Sequence, residues 1–183
     1  MSVSGGLADL GSRTENCIVG EKRTRYRIDA REFKSGDVIL PGENDYVDRL
    51  AGYHRSVEEL LRATLPDGAN VRGKTVHVFE DQAVATEYWL PWAMKDRHLY
   101  EVEIDSDDIL GLGDMALYNE AAEHPADQAR MRQLIDDYCA GKRSPKPKVE
   151  VMARKATVTR RLHTAAEGKA LFRKKHFPNS STR

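Results

Sequence analysis

The sequence predicts an α+β fold, in which an antiparallel sheet is solvated on one side and flanked by helices. The chain has 183 residues, of which 40% are apolar and 32% charged, as expected of one polar globular domain. Stretches with period-two alternation, typical of strands, are interspersed with stretches of helical spacing. The predicted strands are half-polar, whereas strands of a parallel sheet between two helical layers are apolar throughout.

The predicted elements follow the order strand, helix, strand, helix, strand, helix, strand, strand. Proline and glycine mark the helix ends, and we expect Pro91 to cut the second helix short. A turn at Gly36 and Asp37 precedes a short apolar run at 38–40, and the glycine-rich start of 109–128 predicts a loop. The predicted strands are 24–30, 74–81, 97–108, 149–153 and 156–162, and the predicted helices are 45–66, 82–95 and 126–142.

Three regions are predicted along the chain. Residues 1–22 are rich in Gly and Ser without clear periodicity and predict a flexible arm; residues 23–163 form the domain. Residues 164–183 predict a basic tail with one helical turn. From Lys142 onward there are 13 Lys/Arg and 2 Asp/Glu, against 16 and 27 before it. This asymmetry predicts either an anionic partner or a basic segment packed across the protein's own acidic face.

Cysteine and histidine spacing excludes the common metal sites. Cys17 and Cys139 are far apart in sequence and predict free thiols in a reducing compartment. His54, His77 and His98 lack the spacing of a metal motif, so we expect no metal.

Other motifs are also missing from the sequence. No apolar run approaches the roughly 20 residues of a membrane span, so we expect no membrane partner. The first 17 residues lack the pattern of a Sec signal, which predicts a cytoplasmic protein or one delivered into a target cell by a non-Sec route. P-loop, dinucleotide-fold and serine-hydrolase motifs do not occur in context.

Several segments resemble ADP-ribosyltransferases, in the same order. Residues 25–49 resemble the opening strand and following segment of that superfamily, and "FKSGDVILPG" is close to a segment of its rifamycin-modifying members. "VHVFEDQAVATEYW" and "RHLYEVEIDSDD" resemble the second and third core strands. "VEVMARKATVTRRL" resembles the last hairpin of the arginine-type group, in which a Glu opens a strand. The order of segments is most similar to that of a little-studied bacterial family.

The resemblance implies a fold of split β-sheets with flanking helices and a use of NAD as substrate. The chain would move ADP-ribose to a macromolecular acceptor, protein or nucleic acid, as a bacterial toxin or effector. Glu150, kept ionised by Lys146, Lys148 and Arg154, would stabilise the oxocarbenium-like transition state, and Asp114 is the rival acid. Arg27 would bind the pyrophosphate or ribose. The aromatic candidates for the nicotinamide site are Tyr26, Phe79, Tyr88 and Tyr118.

The sequence departs from both main subclasses. Where the arginine type has Ser-Thr-Ser, this chain has Phe79, Glu80 and Asp81. Where the diphtheria type has His and Tyr, it has Arg27 and Phe79. Lys148 replaces the Glu or Gln two positions before the acid. These departures favour an alternative, a catalytically degenerate module that binds a nucleotide or partner. A small nucleic-acid-binding protein with a basic C-terminal segment is a third interpretation.

Each candidate residue also has a structural interpretation. Glu150 would be a surface charge at a strand end, and Asp114 would be a turn residue. Arg27 would be an outward-facing strand residue paired with Asp29 or Glu103. The aromatic residues would belong to the core.

Overall fold

The computed structural model describes residues 20–42, 50 and 52–177. The predicted arm at 1–22 and the start of the predicted helix at 45–66 therefore lie largely outside the described residues. The strands are β1 (Lys22–Asp29), β2 (Val38–Ile39), β3 (Val76–Phe79), β4 (His98–Asp105), β5 (Ile109–Asp114), β6 (Val149–Ala153) and β7 (Ala156–His163). The helices are α1 (Tyr53–Thr64), α2 (Gly68–Gly73), α3 (Gln82–Ala93), α4 (Met115–Glu123), α5 (Gln128–Cys139) and α6 (Ala165–His176).

The seven strands form one antiparallel sheet in the order β2-β7-β4-β1-β3-β6-β5. The α+β prediction is confirmed, and so are the strands predicted at 24–30, 74–81, 97–108, 149–153 and 156–162, within a few residues at their ends.

The sheet must curl back on itself. The link between β6 and β7 holds two residues, yet four steps of the strand order separate these strands. Four steps span about 19 Å in a flat sheet, whereas three Cα–Cα distances reach about 11 Å. A three-residue turn (Ser106–Asp108) joins β4 to β5 across the same number of steps. Both short links therefore lie at a corner where the sheet folds over.

The resemblance to a final hairpin is corrected by the strand order. β6 pairs with β3 and β5, whereas β7 pairs with β2 and β4, so β6 and β7 are consecutive but not paired. The alternation of residues correctly predicted that β6 and β7 are strands joined by a turn. Their pairing was not predicted correctly, because alternation gives no information about which neighbour a strand takes.

The two faces of the sheet bury different cores. The concave face buries apolar side chains from β3, β4, β6 and β7. These are Val76, Val78, Tyr100, Val102, Ile104, Val151, Ala153 and Val158. Helices cover the convex face. The core of α3 lies over β1 and β4, and a cluster contributed by α1, α4 and α5 forms a separate helical core.

Two predictions in the middle of the chain are wrong. Residues 109–123, whose start was predicted as a loop, form edge strand β5 and helix α4. The glycines of β5 are packing sites, since they lie under Met152 and Tyr138. Pro91 does not cut α3 short, because α3 runs to Ala93. The proline stands in the last turn, where it costs at most one backbone hydrogen bond.

The predicted basic tail contains a packed helix of 12 residues rather than one turn. Thr164 and Glu167 form a capping box at the start of α6, and Gly168 lies against Trp89 and Ala93 of α3. A Cβ at position 168 would stand 2.3 Å from the Cβ of Ala93, so glycine is needed for this close approach.

Much of the basic C-terminal charge is paired within the molecule. Six of its side chains lie within ion-pair distance of acidic side chains elsewhere in the chain. The interpretation that the segment packs across the protein's own acidic groups holds for these six. The pairs are Lys142–Asp137, Lys148–Glu87, Lys155–Asp108, Arg160–Glu101, Arg161–Glu32 and Lys169–Asp96.

Candidate functional site

Three candidate residues stand side by side across adjacent strands. Tyr26 of β1 is in register with Phe79 of β3, and Phe79 is in register with Glu150 of β6. Residues in register on antiparallel strands project from the same face, so these three share the convex face. Arg27, the next residue after Tyr26, projects from the opposite face.

Glu150 is buried and its carboxylate is bound by side chains from three elements. Oε1 accepts hydrogen bonds from Arg72 Nη1 and from the Tyr138 hydroxyl, each at 2.6 Å. Nδ1 of His77 lies 2.9 Å from Oε2. Only 5% of Glu150 is exposed, so the interpretation of a surface charge at a strand end is wrong.

Arg72 joins Glu150 to a second buried acid. Its Nε and Nη2 donate to the two carboxylate oxygens of Glu58, both at 3.0 Å. Glu58 is 0% and Arg72 3% exposed. A planar guanidinium suits this arrangement because its fork can bind one carboxylate with two parallel bonds while a third N–H reaches another. We call Glu58, Arg72, His77, Tyr138 and Glu150 the buried charge cluster.

Glu150 is ionised at neutral pH. Burial by itself raises the pKa of this carboxyl, but the charge of Arg72 and the hydrogen bonds from His77 and Tyr138 outweigh it and hold the pKa well below its usual range. The expectation that Lys146, Lys148 and Arg154 would do this is corrected. Lys148 pairs with Glu87, and Arg154 bonds the carbonyl of Asp107.

A depressed pKa makes stability depend on pH in a defined direction. Unfolded Glu150 takes up its proton near pH 4.3, while the folded protein resists protonation to a lower pH. We therefore expect its contribution to be complete above about pH 5 and to be lost as pH falls, with a slope of about 1.4 kcal/mol per pH unit for one proton. Urea unfolding at pH 7, 5, 4 and 3 measures this.

The control separates Glu150 from the other acids. Glu150→Gln should unfold with a shallower pH dependence between pH 5 and 3 than the unaltered protein. Glu87→Gln changes an exposed glutamate, 62% accessible, and should leave the slope as it was. An unchanged slope in Glu150→Gln would show that the cluster does not hold the carboxylate ionised.

Asp114 lies on the strand beside Glu150 but is in register with Val149, so it projects from the opposite face and has a different set of partners. Its carboxylate accepts backbone N–H bonds from Ala116, Ser144 and Lys148 at 2.7–2.9 Å. Burial raises its pKa, but these three donors lower it overall. Asp114 thus caps the start of α4 and fixes the segment that leads into β6. These contacts give it a structural role, as a cap rather than as a turn residue.

Arg27 meets the buried charge cluster at the backbone carbonyl of His77, on the face of the sheet opposite Glu150. Its Nε and Nη2 donate to Asp29 Oδ2 at 3.2 and 3.0 Å, and its Nη1 donates to the carbonyl of His77 at 2.6 Å. Asp29 also binds Arg31. The structure therefore matches the interpretation of Arg27 as paired with Asp29. It does not bring Arg27 and Glu150 to one face.

Three of the four aromatic candidates line the convex face near Glu150. Phe79 stacks on Tyr88 with ring centroids 5.0 Å apart, and Tyr26 and Phe79 both pack against the Trp89 core. The Tyr88 hydroxyl accepts a hydrogen bond from Asn119 at 2.7 Å. Burial raises the pKa of Tyr88, so its hydroxyl stays protonated at neutral pH.

A shallow cleft of about 260 Å³ opens beside Tyr88. Its lining combines one aromatic ring, an amide and a pair of opposite charges. Lys148 Nζ lies 5.4 Å from the centre of the Tyr88 ring, and it pairs with Glu87 at 2.8 Å. The cleft is lined by Glu87, Tyr88, Pro91, Asn119 and Lys148.

Tyr118, the fourth aromatic candidate, belongs to the helical core. It is 5% exposed, stacks on His54 and donates its hydroxyl to the carbonyl of that residue at 3.2 Å. The guanidinium of Arg72 lies 5.9 Å from its ring centre. Tyr118 therefore borders the buried charge cluster but does not line the cleft.

The sequence did not predict the members of the buried charge cluster other than Glu150 as site residues. These are Arg72, Glu58, Tyr138 and His77. Arg72 lies in α2, a helix of six residues in a segment with no apolar periodicity. One signal was available. Glu58 falls on the apolar stripe of α1 beside Val57 and Leu61, and an acid at such a position predicts a buried cationic partner.

Two features are absent from the part of the chain that the structure describes. Within residues 20–42, 50 and 52–177, no group of three or more His, Cys, Asp or Glu side chains could hold a metal ion. In the same part of the chain, no helix is both long and apolar enough to cross a membrane.

Comparison with known proteins does not place the chain in a family. No family model matches it, and no curated protein shows significant similarity to it.

Proposed function

We propose that the chain is an NAD-dependent ADP-ribosyltransferase that moves ADP-ribose to a macromolecular acceptor. The observation that carries the proposal is the row Tyr26–Phe79–Glu150, in register on three neighbouring strands, with an ionised carboxylate at its end. A role as a bacterial toxin or effector is part of the same proposal and rests on the resemblance alone.

The row offers what the reaction requires. Breaking the bond between nicotinamide and ribose generates positive charge on the ribose, which a nearby carboxylate stabilises. The stacked rings of Phe79 and Tyr88 supply flat apolar surface for a ring, and Lys148 of the cleft supplies a cation for phosphate. A ligand would approach Glu150 past His77, the most exposed member of the cluster, whose side chain is 24% accessible.

The chemical step balances without a further co-reactant. The bond between ribose C1′ and the nicotinamide nitrogen breaks, and nicotinamide leaves with the bonding electron pair. A nucleophilic oxygen or nitrogen of the acceptor forms a new bond to C1′ and gives up its proton to solvent or to a nearby base. Glu150 takes no proton in this scheme and acts through its negative charge.

One observation favours a second function, a catalytically degenerate module that binds a nucleotide or partner. Both oxygens of Glu150 already contact protein groups, and the carboxylate neutralises Arg72 together with Glu58. An acid held this firmly serves stability without any ligand. NAD turnover separates the two functions.

The test is incubation of the purified protein with NAD labelled in its adenylate half, alone and with cell lysate. Label transfer and nicotinamide release are both measured. Glu150→Gln should reduce the rate about 10²- to 10³-fold, the usual effect of removing one group that stabilises transition-state charge. The labelled species identifies the acceptor class.

Controls separate chemistry from folding. Val102→Ala truncates the concave core without changing any charge, so it is destabilised and should keep the turnover. Asp114→Asn tests the rival acid. Loss only in Asp114→Asn would move the site to that residue, and absence of turnover in the unaltered protein would leave the binding module.

A further inference from the structure

One of the two tryptophans lies on the surface among cations. Trp92, in the last turn of α3, is 39% exposed, whereas Trp89 is fully buried. Lys95 Nζ lies 4.6 Å and the Arg97 guanidinium carbon 4.7 Å from the centre of the Trp92 ring. Two cations thus lie within cation–π distance of one partly exposed ring.

These two cations are not neutralised by the acid between them. Asp96 pairs with Lys169 of α6 at 2.6 Å. Among the ion pairs of the described residues, none includes Lys95 or Arg97. This position therefore carries local positive charge beside an exposed ring.

The turn that carries the three side chains is held firmly. Asp96 adopts a left-handed conformation with φ of 57°, which is uncommon outside glycine. The indole of buried Trp89 donates to the carbonyl of Arg97 at 2.8 Å, and the backbone N–H of Lys95 donates to the carbonyl of Trp92 at 2.9 Å. The backbone of the turn therefore keeps its shape without a ligand, and the ring and the two cations stay close together.

We propose that the Trp92 turn, residues 92–97, binds single-stranded nucleic acid. A base stacks on the exposed part of the indole, and the phosphates on either side of that base contact Lys95 and Arg97. An acidic peptide would use the two cations but has no need of the ring. The inference rests on the proposed function only in naming nucleic acid as the acceptor class; the binding itself requires no NAD.

Tryptophan fluorescence and anisotropy test the proposal on the full chain. Oligothymidine and oligouridine of about ten nucleotides are titrated without NAD, and stacking should quench emission from Trp92. Trp92→Ala should weaken binding of the labelled oligonucleotide about 5- to 150-fold. Lys95→Ala should reduce the slope of log K against log salt concentration by about 0.7.

Lys142→Ala is the matched control, because Lys142 is an exposed lysine already paired with Asp137. It should keep both affinity and salt slope. Three outcomes would each overturn the proposal. Trp92→Ala and Lys142→Ala would bind equally well, polyglutamate would displace the oligonucleotide as effectively as oligothymidine does, or no binding would occur at low salt. Because NAD is absent, these outcomes are independent of the turnover assay.

Discussion

Replacing Arg72 with alanine is expected to lower the free energy of unfolding by about 3–5 kcal/mol. The substitution leaves Glu58 and Glu150 buried without the guanidinium that binds them both. A buried charge that loses its partner keeps its full desolvation cost, which the remaining hydrogen bonds from Tyr138 and His77 offset only in part. Urea unfolding at pH 7 measures the loss.

Arg130→Ala is the matched control for Arg72→Ala. Arg130 pairs with Glu120 at 2.6 Å on the surface, with 47% and 37% of the two side chains exposed. Such a pair contributes about 0–1 kcal/mol. If both variants lost equally little stability, the buried charge cluster would not hold the helices to the sheet.

Replacing Gly113 with alanine is expected to destabilise the protein by about 1–3 kcal/mol through overpacking. A Cβ at this position would stand 1.9 Å from Cζ of Tyr138, well inside van der Waals contact. The ring must move, and its hydroxyl would then lose the 2.6 Å hydrogen bond to Glu150. Thermal and urea unfolding measure the cost.

A double-mutant cycle shows whether the Tyr138 ring is the cause. In a Tyr138→Leu background, Gly113→Ala should cost less than in the unaltered protein, because the smaller side chain leaves room. Gly42→Ala is the control, since a Cβ there meets nothing within 4 Å. A cost of Gly113→Ala that is the same in both backgrounds would assign the strain to another contact.

The sequence predicts the strands other than β5 well, because alternation is a local property. β4 has buried residues at 99, 100, 102 and 104 and remains half-polar, as the quoted segment "RHLYEVEIDSDD" suggested. Helix α5 likewise follows its apolar spacing and ends at Cys139, two residues before Gly141, whose φ of 71° turns the chain away from the helix. These elements carry their own periodicity, so no knowledge of partners is needed.

Other features depend on contacts between distant parts of the chain. The glycines of β5 predict a loop, yet they belong to a strand. They are needed because side chains from β6 and α5 pack so closely over them that little room is left for a Cβ. The interpretation of Glu150 as an exposed charge failed for the same reason. Its partners Arg72 and His77 are far from it in sequence, and Arg72 belongs to a helix that was not predicted. The fold brings them together with Tyr138 around Glu150.

The candidate site is therefore predictable in part. The aromatic residues Tyr26, Phe79 and Tyr88 lie near one another on the face that also carries Glu150. Arg27 projects from the other face because side chains alternate along a strand, and the resemblance had assigned it to the same site.

Mapping NAD onto the protein by nuclear magnetic resonance tests the central proposal most directly. NAD is titrated into nitrogen-labelled protein, and the backbone amide shifts are followed residue by residue. The proposal predicts saturable shifts centred on Tyr26, Phe79, Tyr88 and Glu150, which should be lost or weakened in Glu150→Gln while Val102→Ala retains them. Shifts confined to other surfaces, or none at millimolar NAD, would contradict it.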